Sequence, residues 1–213
     1  MNPHAPVSRT PRTTRALILR AAYYIFLTGG ILGLGYATYV VVDARVYQAI
    51  EESRLPDIRP AQGPRIVVEG DVIGEMEVPR LGLKTIFVQG DSPRILRRAV
   101  GHLPETALPG EAGNVALAGH RDTVFRPLRG IQPGDAIMIK TPDGEFEYRV
   151  ESTQVVLPND VQVLQPSSEN TLTLVTCFPF YYVGPAPKRF IVRARQIGRP
   201  PAQSSIAEAL PHL

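Results

Sequence analysis

Between positions 21 and 42 the chain carries no charged residue, and Leu, Ile, Val, Ala, Gly and aromatic side chains fill the stretch. A segment this apolar restricts the fold. As a helix rising 1.5 Å per residue it spans roughly 33 Å, the hydrocarbon thickness of a bilayer. Inside a small soluble domain it would need apolar neighbours on every side. Tyr23, Tyr24, Tyr36 and Tyr39 stand near its ends, where amphipathic rings favour the membrane interface. The stretch exceeds the h-region of a cleaved signal peptide, about 7–15 residues, and no small-x-small cleavage pattern ends it. A transmembrane signal-anchor helix is therefore expected over 21–42, with Gly29 and Gly33 spaced to let a second helix approach. Arg9, Arg12, Arg15 and Arg20 precede it, and Asp43, Glu51 and Glu52 follow. That asymmetry places a basic N-terminus (1–20) in the cytoplasm and everything beyond the span outside.

The full 213 residues leave room for one globular domain besides the anchor. The net charge is +3, but much of the basicity sits ahead of the span, and no basic stripe follows that would track phosphates. Nucleic acid is excluded as a partner on that ground. Residues 43–64 read as a juxtamembrane helix, to about 55, and a linker stiffened by Pro56, Pro60 and Pro64. A catalytic domain is expected over 65–195 and a loosely ordered tail over 196–213. Within the domain, short alternating runs separated by turn residues predict strands at 65–69, 74–78, 84–89, 114–120, 135–141, 145–156, 171–177 and 188–195. Asp143-Gly144 marks a hairpin. Only 92–100 reads as a helix, with Ser92 as N-cap and Pro93 at its first position. The fold class predicted is all-β: a closed or nearly closed eight-stranded barrel with one or two short helices, behind an N-terminal transmembrane helix.

Cys177 is the sole cysteine, so no disulfide partner exists for it. Taken alone it reads as a small buried hydrophobe. Yet period-two alternation in 171–177 assigns Leu172 and Leu174 to the core and Cys177 to the opposite face, at the strand end. Of four histidines, His4 and His212 lie outside the domain. His102 sits in a Gly-His-Leu-Pro loop suited to a solvent-facing or hydrogen-bonding role. His120 ends a strand whose small residues Ala116 and Ala118 share its face, beside Gly119, which permits close approach. Arg189 opens the last strand, with Phe190 and Val192 on the core face and Arg189 on the other. Should these strands pair as a long hairpin, Cys177 and Arg189 fall at the same end of the barrel; otherwise Arg189 is a solvated edge charge.

Thr173-Leu174-Val175-Thr176-Cys177 matches the T-L-x-T-C signature of sortases. Leu117-Ala118-Gly119-His120-Arg121-Asp122 resembles the segment bearing their histidine, and Lys188-Arg189-Phe190-Ile191-Val192 the strand bearing their arginine, in the same order. The longer strings 119–128 and 176–184 are most similar to the class D branch. The resemblance, which covers the domain but not anchor or tail, implies a sortase-type barrel and a membrane-anchored cysteine transpeptidase. Cys177 would be nucleophile, His120 proton-transfer partner and Arg189 electrostatic stabiliser. It implies cleavage of an L-P-x-T-type sorting signal after threonine through a thioacyl-enzyme. The partners are sorting-signal proteins and an amine, from a cell-wall precursor or a pilin lysine. Thr176, Phe178, Phe180, Tyr181 and Tyr182 are expected to contact substrate, although the aromatic loop either walls the groove or caps the barrel. No cofactor is expected and no metal site is legible. Glu69 and Asp71 are carboxylates of the kind that bind calcium in some sortases, without a loop signature.

Two alternatives use the same residues. Another Cys-His peptidase is disfavoured because the cysteine follows T-L-V-T. A non-enzymatic, membrane-tethered binding or assembly domain would survive loss of Cys177. Finally, Leu103-Pro104-Glu105-Thr106-Ala107 itself reads as a sorting signal, but no membrane span follows it as in a substrate, and a proline-punctuated surface loop is expected.

Overall fold

The computed structural model describes residues 12–54, 67–182 and 184–198. By its contacts the chain divides into two units, residues 1–43 and 44–213. Helix α1 (Arg12–Arg54) supplies all of the described part of the first. It is the one helix among the described residues long and apolar enough to cross a membrane, with mean hydropathy 1.8 in its most apolar window and no residue of that window buried. It continues to Arg54; the Pro-rich linker, the tail beyond 198 and residues 1–11 lie outside the described residues.

The second unit is built on eight strands: β1 (Val72–Val78), β2 (Leu83–Gln89), β3 (Val100–His102), β4 (Asn114–Ala118), β5 (Ala136–Thr141), β6 (Gly144–Val156), β7 (Thr171–Phe178) and β8 (Lys188–Gly198). They close into a barrel in the order β1-β2-β3-β4-β7-β8-β6-β5, with β5 returning to β1, so no sheet edge is left unpaired. Alternation along each strand fills the barrel: Ile73, Met76, Phe87, Leu117, Ile139, Tyr148, Leu172, Leu174 and Val192 are all buried in one cluster. Seven strands fall where alternation predicts them, within a few residues. The β5–β6 hairpin pairs Thr141 with Gly144. Its turn is thus Pro142-Asp143, with Gly144 beginning β6 at φ +142, a left-handed value that glycine tolerates.

Three expectations change. No strand forms at 67–70; residues 65 and 66 lie outside the described set, and Gly70 instead closes a turn onto Gln89 O. The helix expected at 92–100 shrinks to α2 (Pro93–Leu96), and Ser92 makes no side-chain cap hydrogen bond. Val100, expected to end that helix, and Gly101 and His102, expected in a loop, instead form β3, because Val100 and Gly101 find partners on β2 (Phe87 and Val88) and tertiary pairing overrides local propensity. The second unit also includes residues 44–54 of α1, where Gln48 meets both β2 and the turn before β3. Its carboxamide donates to Arg98 O (2.7 Å) and accepts from Ile86 N (3.0 Å). Glu52 pairs with Lys84 nearby.

Candidate active site

β7 carries Cys177 to the rim of the barrel. Leu172 and Leu174 point inward, and Cys177, on the other parity, is partly accessible. The antiparallel register of β7 with β8 sets Leu174 opposite Val192 and Cys177 opposite Arg189. Directly opposed residues share a face with Cβ atoms about 4.5–5.5 Å apart, so Cys177 and Arg189 are cross-strand neighbours. Arg189 Nη1 donates to Ala186 O (3.3 Å) and Lys188 O (3.0 Å), and its other nitrogens have no partner among the described residues.

His120 approaches from the opposite side of β7. β4 pairs parallel with β7 as far as Ala118 opposite Val175. One further bond, Gly119 N–H to Val175 O at 3.1 Å, extends the ladder, and Thr176 Oγ1 donates to Gly119 O at 2.7 Å. His120 and Cys177 each lie two residues beyond the last registered pair, so the ladder, if continued, would set them level on one face. His120 is half-buried, and its backbone carbonyl accepts from Phe125 N–H (3.0 Å). The fully buried Phe125 ring packs so closely under Gly119 that a Cβ there would come within 2.8 Å of it. Glycine is thus required before the histidine. Among the described residues the three side chains form no hydrogen bond with one another, and Asp122, exposed in the turn, forms no ion pair.

The aromatic loop divides into two parts. Phe178, Phe180 and Phe190 form a triad, with Phe180 edge-on to Phe190 at 5.3 Å, and Phe180 and Phe190 also pack on the core. These rings cap the barrel. Tyr181 and Tyr182 remain exposed, each beneath an arginine from the segment after β4: Arg129 over Tyr181 at 5.7 Å and Arg121 over Tyr182 at 5.8 Å. Thr176, also expected to contact substrate, is turned inward, 2% exposed with its hydroxyl donating to Gly119 O.

Sequence reasoning did not single out a polar floor at the start of β7, the end of the strand away from Cys177. Asn114 Oδ1 accepts from Thr173 (2.7 Å) and Thr171 (3.2 Å), while its Nδ2 donates to Val163 O and Gln165 O. Threonines at alternate positions before Cys177 were the available signal. A groove of about 620 Å³ adjoins this floor, lined in part by Leu103, Thr106, Val161 and Leu164. His102 is buried on β3, not solvent-facing: Nε2 lies 2.9 Å from Ala107 O and Nδ1 2.8 Å from the Gln89 carboxamide. Burial pushes its pKa below the ordinary histidine value. The 103–107 segment is tied into a turn, with Thr106 Oγ1 donating to Leu103 O (2.7 Å) and Ala107 N–H to Asn114 O (3.1 Å). Asp71 accepts from Val68 N–H (3.0 Å).

Comparison with known proteins defines the class. The sortase domain model matches residues 76–197. Sortase D of Bacillus subtilis (strain 168) is 30% identical over 188 residues, covering 80% of this chain and 95% of its own. Sortase SrtE1 of Streptomyces coelicolor is 31% identical over 242 residues, covering 98% of this chain and 68% of its own. The solved structure of a Clostridium perfringens Sortase D5 transpeptidase superposes with TM-score 0.57 at 35% identity, covering 62% of this chain and 83% of that one. The chain belongs to the sortase family and is a sortase-type cysteine transpeptidase. Within the family its similarity is to class D.

Proposed function

We propose that the protein cleaves an L-P-x-T-type sorting signal after its threonine and transfers the new acyl group to an amine, using Cys177, His120 and Arg189. The observation that supports this reading is the cross-strand pairing of Cys177 with Arg189, together with a parallel β4–β7 ladder that ends two residues short of both His120 and Cys177. Cys177 Sγ, as thiolate, attacks the carbonyl carbon of the threonine. The tetrahedral oxyanion is stabilised by the guanidinium nitrogens that Arg189 does not spend on Ala186 and Lys188. His120 gives its proton to the departing amine nitrogen as the C–N bond breaks, leaving a thioester on Cys177. An incoming amine attacks that thioester, loses a proton to His120 and expels the thiolate. Water in the same place would give hydrolysis.

Thr176, Phe178, Phe180, Tyr181 and Tyr182 border the path of the signal peptide, Thr176 through its backbone and the tyrosines through exposed rings. The domain at 65–195 works outside the cell membrane, held there by a single span over 21–42 with the basic residues 1–20 in the cytoplasm. The arginines before that span and the exposed apolar surface of α1 support this arrangement. Incubating the protein with L-P-x-T-G and L-P-x-T-A peptides, with and without an amine, tests the chemistry. Mass spectrometry is expected to find an acyl adduct on Cys177, consumed when amine is added. Undiminished cleavage by Cys177→Ala rules the mechanism out.

A further inference from the structure

Arg121, next in sequence to His120, is only 9% exposed, yet no carboxylate pairs with it among the described residues. Nη2 donates to two carbonyls of the β7–β8 loop, Tyr182 O at 2.7 Å and Gly184 O at 3.0 Å, and the guanidinium lies over the Tyr182 ring. Nη1 is fully buried without a hydrogen-bond partner. A buried cation with no carboxylate partner is a costly way to stabilise a fold, since an apolar residue of similar volume commonly does as well or better. An unpartnered buried donor adds to the cost. What the arrangement does accomplish is mechanical. The chain segment carrying His120 and the loop that leaves Cys177 belong to different strands, and Arg121 joins them a few residues from each catalytic group.

We infer that Arg121 is a positioning residue for the transpeptidation, holding the His120 turn against the β7–β8 loop so that imidazole and thiol meet the same peptide bond. Arg129 makes a second, exposed contact with the same loop through the ring and hydroxyl of Tyr181. Because Arg121 touches loop backbone and not the reacting atoms, its loss is felt in the rate of the chemical step more than in peptide binding. A misplacement of about 1 Å is enough to slow such a step by about a hundredfold.

The inference rests on the Cys177 mechanism, and the test separates the two. The full-length protein in detergent is mixed with an L-P-x-T-G peptide, and adduct formation on Cys177 is timed at several peptide concentrations for wild type, Arg121→Ala and Arg121→Lys. Arg121→Ala is expected to lower the maximal acylation rate about ten- to a hundredfold. The half-saturating peptide concentration stays within about threefold, and the melting temperature within about 4 °C. Arg121→Lys, which keeps charge and donors, recovers part of the rate. An unchanged rate overturns the inference, as does a loss confined to half-saturation or a loss that follows unfolding of the barrel. Absence of any adduct in wild type instead defeats the Cys177 mechanism, and this inference falls with it.

Discussion

Gly119 shows how little space the site has at the scale of one residue. The Phe125 ring lies where a Cβ would stand, and the carbonyls of Gly119 and His120 are held by Thr176 and Phe125. Gly119→Ala must move either the ring or the strand end, an overpacking cost of about 1–3 kcal/mol. Denaturant unfolding is expected to register that loss. Acyl-adduct formation falls further than the folded fraction does, by about tenfold or more, because the displaced backbone carries His120 with it. Equal losses in the two measurements would mean that the turn tolerates the methyl group without moving the imidazole. The requirement for glycine was readable in part from its place before the histidine. The ring that imposes it was not, since Phe125 lies six residues away in an irregular segment whose path only the folded chain defines.

Among the elements, β3 departs most from what local pattern indicates. Three residues long, it lies between β2 and β4 and carries His102 into the interior. Because burial lowers the folded pKa of His102 below its ordinary value of about 6.5, the imidazole stays neutral where the unfolded chain takes up a proton. The sign follows: this contribution to stability is complete above about pH 6.5 and is lost as pH falls through the folded pKa. Thermal melts at pH 7.5 and 5.5 are expected to show a smaller acid-induced drop in His102→Gln than in wild type. Equal drops would show that His102 is not the group responsible. Longer strands were legible because alternation over six or more residues leaves one reading. Three residues cannot establish a period, and β3 was divided between the end of a helical pattern (Val100) and a loop (Gly101 and His102).

For the whole molecule, the proposed topology puts the sole cysteine outside the membrane, where a thiol reagent can report on it. A charged, membrane-impermeant maleimide added to intact cells expressing the full chain is expected to label Cys177, and Cys177→Ala to remove the label. Labelling only after lysis would reverse the orientation. Here the determinants are simple, a long uncharged stretch with arginines on one side, and they are local to the sequence. Closure of the barrel is not local. It joins β1 to β5 and runs β4 beside β7 across more than fifty residues of chain, while β6 is placed beside β8 rather than β7.

Residue chemistry and short-range periodicity were enough to mark the span, most strands, and the cysteine, histidine and arginine as candidates, because alternation assigns each side chain a face without reference to other strands. Which candidates stand together was decided by register between strands. Only hydrogen bonding across the closed sheet sets Arg189 opposite Cys177 and runs β4, the strand that leads into His120, beside the strand of Cys177. The same packing turned Thr176 inward, buried His102 and brought Arg121 onto the loop after the thiol. Those outcomes depend on contacts between residues far apart in the chain, whose side chains have no preferred partner until the barrel closes.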